Sequence, residues 1–367
     1  MIIEICFYIL ICLLCIAIIN ALINLVSAPV IRNNSSNKIH DLVSVLVPMR
    51  NEEANIKIIL TSIISQDYSN IEIIVLNDCS EDNSLKVAQQ MANQYKQIRV
   101  IDGQKLPLGW TGKNWACHQL SNNAKGNLFL FLDADCIMAP WVVKSVVNLI
   151  YQRNLSLVSC FPTQITNTFG EKLVVPLLNW FLLTLLPLRL VFISSLKSFV
   201  AANGQFMFFR KNDYETIGGH EAVKTKIVED MELARLVKQN RFKMMTLLGG
   251  KGVFCRMYQS LDDAIKGFTK NFYPGFSGNA IAFFLFITTI SIVFMAPFVL
   301  SMVNVKYLLL VFVIFAQRAI ISIISGQSLL LAIVLHPLQM IYFEYIALLS
   351  IIKSKSGNIK WKGRRIS

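Results

Sequence analysis

Leu128-Phe-Leu-Phe-Leu-Asp-Ala-Asp135 is an unbroken apolar run that ends on two carboxylates one residue apart. An apolar run without alternation predicts a strand buried on both faces, and hence a parallel sheet flanked by helices. The arrangement recurs along the chain. Val43-Ser-Val-Leu-Val-Pro48 leads into Arg50-Asn51-Glu52-Glu53 and a helical pattern over 54–64. Ile71 to Leu76 leads into Asn77-Asp78 and a helix around 85–94, and the run at 128–132 is followed by a helix from about Pro140. In a sheet of alternating strands and helices the ligand lies beyond the carboxyl ends of the strands, which here carry Glu52, Asp78, Asp133 and Asp135.

No G-x-G-x-x-G turn and no G-x-x-x-x-G-K-[ST] loop is present, so phosphates are not held as in dehydrogenases or P-loop ATPases. Asp133 and Asp135 offer another device: they can share one hard cation whose remaining ligands are diphosphate oxygens. A D-x-D in isolation is usually a solvated turn; its place after a strand is what singles this one out. Lys113 opens a helix expected over 113–123, just after Gly109-Trp-Thr-Gly112, and a lysine at a helix N-terminus can contact diphosphate or simply lie on a surface turn. Glu229 and Asp230 precede the i, i+3, i+4 stripe Leu233, Leu236, Val237. Spacing alone reads them as charges complementing the helix dipole; the functional alternative is a carboxylate acting as general base.

The flanks are of different character. The chain of 367 residues is 54% hydrophobic, with a mean hydropathy of +0.53, too apolar for an ordinary soluble domain of this size. The excess lies at 5–26 and 280–352, leaving one water-facing domain over 40–275 between them. Residues 5–26 carry no charge and predict a retained transmembrane anchor (1–30) rather than a cleaved signal, because Glu4 stands where a basic n-region belongs. Arg32 and Lys38 after this span, and Lys353, Lys355, Lys360, Lys362, Arg364 and Arg365 in the tail 353–367, predict a cytoplasmic domain and a tail drawn to anionic lipid. Segments 280–302, 305–325 and 328–352 read as three spans, yet a tail on the domain's side requires an even number. Arg318 in the middle segment points to a tilted, re-entrant or interfacial course there. Residues 173–200, apolar apart from Asn179, Arg189 and Lys197, read either as a membrane-interfacial segment that admits a hydrophobic acceptor or as a buried core helix. The net charge of +13 comes without an aromatic-interleaved basic patch, so membrane lipid rather than nucleic acid is the expected partner. The eight cysteines, Cys12 and Cys15 among them, are expected to be free thiols.

Taken in order, Pro48/Asn51-Glu52, Asn77-Asp78, Gly112-Lys113, Asp133-Ala-Asp135, Gly218-Gly219 and Glu229-Asp230 resemble family 2 glycosyltransferases. Gly109-Trp-Thr-Gly-Lys-Asn-Trp-Ala-Cys117, Arg256-Met-Tyr-Gln259, His336-Pro337 and Lys360-Trp-Lys-Gly-Arg364 resemble the membrane-bound subgroup containing 4,4'-diaponeurosporenoate and hopene-associated glycosyltransferases. The resemblance implies an α/β fold of GT-A type between N-terminal and C-terminal transmembrane helices, and inverting transfer of a hexose from a nucleotide-diphospho-sugar, UDP-glucose above all, to a lipophilic acceptor. It implies that Glu52 and Asp78 contact the nucleoside, that Asp133 and Asp135 hold ribose and Mg²⁺ or Mn²⁺, and that Asp230 is the base with Glu229 supporting it. Pro48, Asn51, Lys113 and Arg256 fall among its substrate-binding positions. Two departures matter: the Q-x-x-R-W motif of processive members is missing, with Arg256-Met-Tyr-Gln259 in its place, and His118 stands where the family usually has Asn. A polysaccharide synthase, and a transporter or flippase built around Arg318, His336 and Glu344, are the competing readings.

Overall fold

A computed structural model describes residues 2–34, 39–276, 279–357, 360–361 and 364–365. Lys38, Lys362 and Gly363, which bear on orientation and on the tail motif, lie outside the described residues. The strands are β1 (Val43–Met49), β2 (Ile71–Asn77), β3 (Ile98–Asp102), β4 (Leu128–Leu132), β5 (Cys136–Met138), β6 (Leu157–Phe161), β7 (Thr163–Gln164), β8 (Phe206–Arg210), β9 (Met244–Leu248), β10 (Val253–Cys255), β11 (Lys360–Trp361) and β12 (Arg364–Arg365). The helices are α1 (Ile2–Ser27), α2 (Ile56–Ile64), α3 (Ser84–Gln94), α4 (Gly112–Asn123), α5 (Val142–Arg153), α6 (Phe169–Val174), α7 (Pro176–Leu185), α8 (Leu190–Ile193), α9 (Lys211–Thr216), α10 (Glu229–Gln239), α11 (Leu261–Asn271), α12 (Ala280–Ser301), α13 (Leu308–Ser325), α14 (Leu329–Val334) and α15 (His336–Lys355).

The main sheet has seven strands in the order β3-β2-β1-β4-β8-β6-β9. It is mixed, where the apolar runs predicted a parallel sheet: β8 runs antiparallel to both β4 and β6. The reason is the chain path. Between β7 and β8 the chain makes a long apolar excursion through α6, α7 and α8 instead of a single crossover helix, and re-enters the sheet from the opposite end. Phe206-Met-Phe-Phe209 is as buried as the parallel strands, so composition carries no sign of its direction. Val43, Val45, Val47, Leu128, Leu130 and Leu132 turn to the layer formed by α2, α3 and α5. Leu46, Phe129 and Phe131 turn the other way, into a core that also holds Leu14 and Ala21 of α1, Trp180 of α7 and Ile314 of α13. Sheet and apolar helices therefore share one continuous core.

Two connections fix this union. After α1 the chain runs beside β9, with Ile31 N donating to Leu248 O at 2.9 Å and Leu248 N to Pro29 O at 2.8 Å. Within α1, buried Asn24 donates to the carbonyls of Leu183 (3.0 Å) and Leu186 (2.9 Å) and accepts from Leu188 N at 2.7 Å. Those backbone groups belong to the break after α7, where Pro187 forbids a further turn. Residues 173–200 thus divide. Trp180 and Leu183 are buried against the apolar helices, while Leu185, Ile193 and Leu196 are exposed.

Among the described residues, three helices are long and apolar enough to cross a membrane: 4–27, 280–301 and 305–325. Segment 328–352 is not one continuous helix, because the chain breaks between α14 and α15 at His336-Pro337. Helix α15 instead packs on α11, Ser350 Oγ donating to Thr269 O at 2.6 Å and accepting from Tyr273 N at 2.9 Å. Arg318 does not interrupt its helix either. It is buried on α13, where it donates to Ala332 O at 3.1 Å and to Gln339 Oε1 and stacks over Trp180. His336 meets Phe294 O at 3.2 Å, so two of the three residues behind the transporter reading act as interhelical ties.

Replacing Asn24 by Leu leaves two carbonyls and one N–H without partners at the α7 break. A loss of about 1–3 kcal/mol is expected, read as a lower Tm of the detergent-solubilised protein. An unchanged Tm would remove Asn24 from this role.

Candidate active site

The carboxyl ends of β1, β2 and β4 open into a cavity of about 1080 Å³. Pro48, Asn51, Glu52, Asp78, Lys113, Asp133, Asp135, Glu229, Asp230 and Arg256, the residues expected to bind substrate or metal or to act as base, line it. Local rules explain how they are held. Asn51 adopts φ +51°, a left-handed conformation that Asn tolerates, and its Oδ1 accepts from Glu81 N at 2.8 Å while its N–H reaches Ser80 Oγ at 3.1 Å. The loops after β1 and β2 are thereby stitched together. Thr111 caps α4, accepting from Asn114 N at 3.4 Å, which sets Lys113 in the first turn. Gly219 has φ +51°, and a Cβ there would lie 2.6 Å from the Tyr214 ring. This turn, with Tyr214 Oη against His220 Nδ1 at 2.7 Å, precedes α10.

At the centre, the Lys113 ammonium lies 2.8 Å from Asp133 and 3.3 Å from Glu229. It also donates to Gly204 O at 3.3 Å. Burial works against the ammonium, but the two carboxylates outweigh it and raise its pKa well above the usual value. Asp230 accepts from Gly204 N at 2.8 Å and from its neighbour Met231 N at 2.7 Å. Burial and then the Glu229 charge push its carboxyl up to about 6, against the pull of Lys113. Gly204 must be small: a Cβ would meet Lys113 Nζ at 3.0 Å and Glu229 Oε1 at 3.1 Å.

Asp135 borders the same cavity, with the thiols of Cys136 and Cys255 behind it; among the described residues these three offer ligand atoms within 4.8 Å of one another. Burial raises both thiols, Cys136 to about 11. Burial thus favours the neutral thiols, and the hard oxygens of Asp133 and Asp135 are donors that fit Mg²⁺ or Mn²⁺.

Several neighbours went unrecognised in the sequence. Lys266 and Lys270 of α11 line the cavity; on sequence they are an ordinary charged helix face. Burial pulls Lys270 down to about 8, against the carboxylates of Glu229, Asp133 and Asp230. Arg364, expected at lipid headgroups, instead grips both oxygens of Asp78 at 2.7 and 2.6 Å across 286 positions of sequence. Arg256 reaches the cavity wall but is tied to the buried Glu171 at 2.9 Å, as a strut between α6 and β10. His118 packs between Trp110 and Trp115, outside the carboxylate cluster.

Residues 44–216 match the glycosyl transferase family 2 description. Over 353 residues the chain is 28% identical to a 4,4'-diaponeurosporenoate glycosyltransferase of Staphylococcus aureus strain N315, covering 92% of this chain and 91% of the relative. The chain is a glycosyltransferase, with a family 2 match over 44–216. The strain USA300 counterpart aligns over 344 residues at the same 28% identity and 89% of either chain. Among solved structures, the mannosyltransferase PcManGT from Pyrobaculum calidifontis, in complex with GDP-Man and Mn²⁺, matches with a TM-score of 0.54 at 14% identity, over 97% of this chain and 99% of that one. This likeness extends the GT-A fold of the glycosyltransferase to its apolar helices.

A carboxyl raised from its ordinary 3.8 to about 6 in the folded enzyme costs stability as pH climbs through that window, because the unfolded chain has released the proton first. Thermal unfolding of the wild type should therefore show Tm falling from pH 4 to pH 6.5. In Asp230→Asn that limb flattens; an identical limb would place the shift elsewhere.

Proposed function

We propose that this glycosyltransferase moves a hexose, in the first instance glucose from UDP-glucose, to a lipophilic acceptor at the cytoplasmic membrane face. The acceptor class is a carotenoid or other terpenoid acid or alcohol. The observation that carries this reading is that a wall of the cavity, helix α11, is joined to the apolar helices. Helix α11 contributes Asp263, Lys266 and Lys270 to the wall, packs on α15, and is followed after a short turn by α12. The relative named for a carotenoid acid, and the similarly folded enzyme holding a nucleotide sugar with Mn²⁺, support the same assignment.

In this scheme Glu52 and Asp78 receive the nucleoside. A divalent cation held by Asp133 and Asp135 would neutralise charge on the diphosphate leaving group. Lys113 adds a second positive charge at the first turn of α4, where the helix dipole also favours phosphate. Asp230 takes the proton of an attacking hydroxyl, and Glu229 keeps its pKa high enough for the task. An ionised carboxylic acid needs no such base. For that acceptor the half-buried Lys270 ammonium supplies the counter-charge that orients the attacking oxygen. The domain's placement inside the cell rests on the basic residues Arg32, Lys353 and Lys355 and on a tail that returns to the cavity.

Membranes supplied with labelled UDP-glucose should yield labelled, extractable lipid rather than polymer, dependent on added Mg²⁺ or Mn²⁺. Asp135→Ala should lower the yield about 100-fold or more. With a hydroxyl acceptor, Asp230→Asn brings a similar loss and wild-type activity falls below about pH 6. Activity kept in Asp230→Asn but lost in Asp135→Ala assigns an acid acceptor, and activity kept in both contradicts the scheme.

A further inference from the structure

The last described residues of the chain reach the far end of the cavity. Strands β11 and β12 pair antiparallel, with Trp361 opposite Arg364. The Arg364 guanidinium holds both Asp78 oxygens through one nitrogen, at 2.7 and 2.6 Å, and its second nitrogen lies 3.5 Å from Asp78 O. It also sits over the start of α4: a Cβ built on Gly112 would lie 3.1 Å from Arg364 Nη1 and 3.4 Å from Asp78 Oδ2. Both partners are largely sheltered, with 24% of the arginine and 12% of the aspartate side chain exposed.

Electrostatically this is an odd place for a cation. The N-terminus of a helix repels positive charge and attracts phosphate. One ion pair to Asp78 holds the guanidinium there, at the wall of the cavity, and a guanidinium is a planar fork of donors that suits a diphosphate. The basic residues of the tail are thus divided between two tasks. Lys353 and Lys355 end α15, and Arg364 enters the site.

We propose that the C-terminal turn completes the donor site and that Arg364 is a donor-binding residue. Arg364 pairs with Asp78; when a nucleoside diphosphate binds, the base takes Asp78 and the guanidinium pairs with the diphosphate. This rests on the nucleotide-sugar reading above and adds to it a residue from beyond the membrane helices.

The test uses the full-length protein in neutral detergent, with UDP as probe and isothermal titration as readout. Arg364→Gln should weaken UDP about tenfold, with Arg364→Lys in between because an ammonium lacks the fork. Lys355→Gln, outside the cavity, should match the wild type. In turnover of UDP-glucose the donor KM should rise while kcat changes little, and UDP should slow tryptic cleavage of the tail in the wild type. Wild-type binding with no change in Arg364→Gln overturns this inference and leaves the nucleotide-sugar reading standing. Tighter binding in Arg364→Gln also overturns it, since the tail would then only obstruct Asp78. A wild type that binds neither UDP nor UDP-glucose overturns both.

Discussion

Lys113 lies between Asp133 and Glu229, and the arrangement of the catalytic end follows from the need to keep that charge compensated. A sheet that gathers Asp133, Asp135, Glu229 and Asp230 at one rim collects mutually repelling carboxylates in a poorly hydrated place. One ammonium from the first turn of α4, 2.8 Å from Asp133 and 3.3 Å from Glu229, ties the β4 end to the α10 start. The loop through Gly204 closes the set by donating its N–H to Asp230 and its carbonyl to Lys113. A side chain at Gly204 would crowd Lys113 and Glu229. Burial and the Glu229 charge nevertheless leave Asp230 a weak acid, a property useful to a base and adverse to stability.

A second constraint joins this rim to the bilayer. The face of the sheet bearing Leu46, Phe129 and Phe131 shares its core with α1, α7 and α13, so the apolar helices are part of the domain's own packing. Asn24, Gln317 and Arg318 fix the joints with hydrogen bonds that an apolar surrounding strengthens and that leave few polar groups facing lipid. The α11 wall of the cavity leads on into α12, and the proposal of a lipophilic acceptor rests on that connection.

Much of this was legible in the sequence because the signals were local. Strand ends announced themselves as apolar runs closing on Glu52, Asp78 and Asp133-Ala-Asp135, and all of these border one cavity. The direction of β8 was not legible, since a buried strand has the same composition either way round. The break at His336-Pro337 was visible as a proline, but a hydropathy count over 328–352 outweighed it. Arg364 and Lys270 were hidden for a different reason. Charged residues in a basic tail and on a helix face resemble solvated surface until tertiary structure brings them against Asp78 and the carboxylate cluster. Arg318, read from sequence as a sign of a tilted, re-entrant or interfacial segment, is a buried interhelical tie, a partnership that sequence spacing does not show.

The most direct measurement of the central claim is mass spectrometry of total lipid from cells with and without the gene. A membrane-facing hexosyltransferase predicts an apolar lipid carrying one hexose that disappears with the gene, while its sugar-free acid or alcohol accumulates. Identical lipid profiles, with the loss appearing instead in a soluble glycoside or a long polysaccharide, would contradict it.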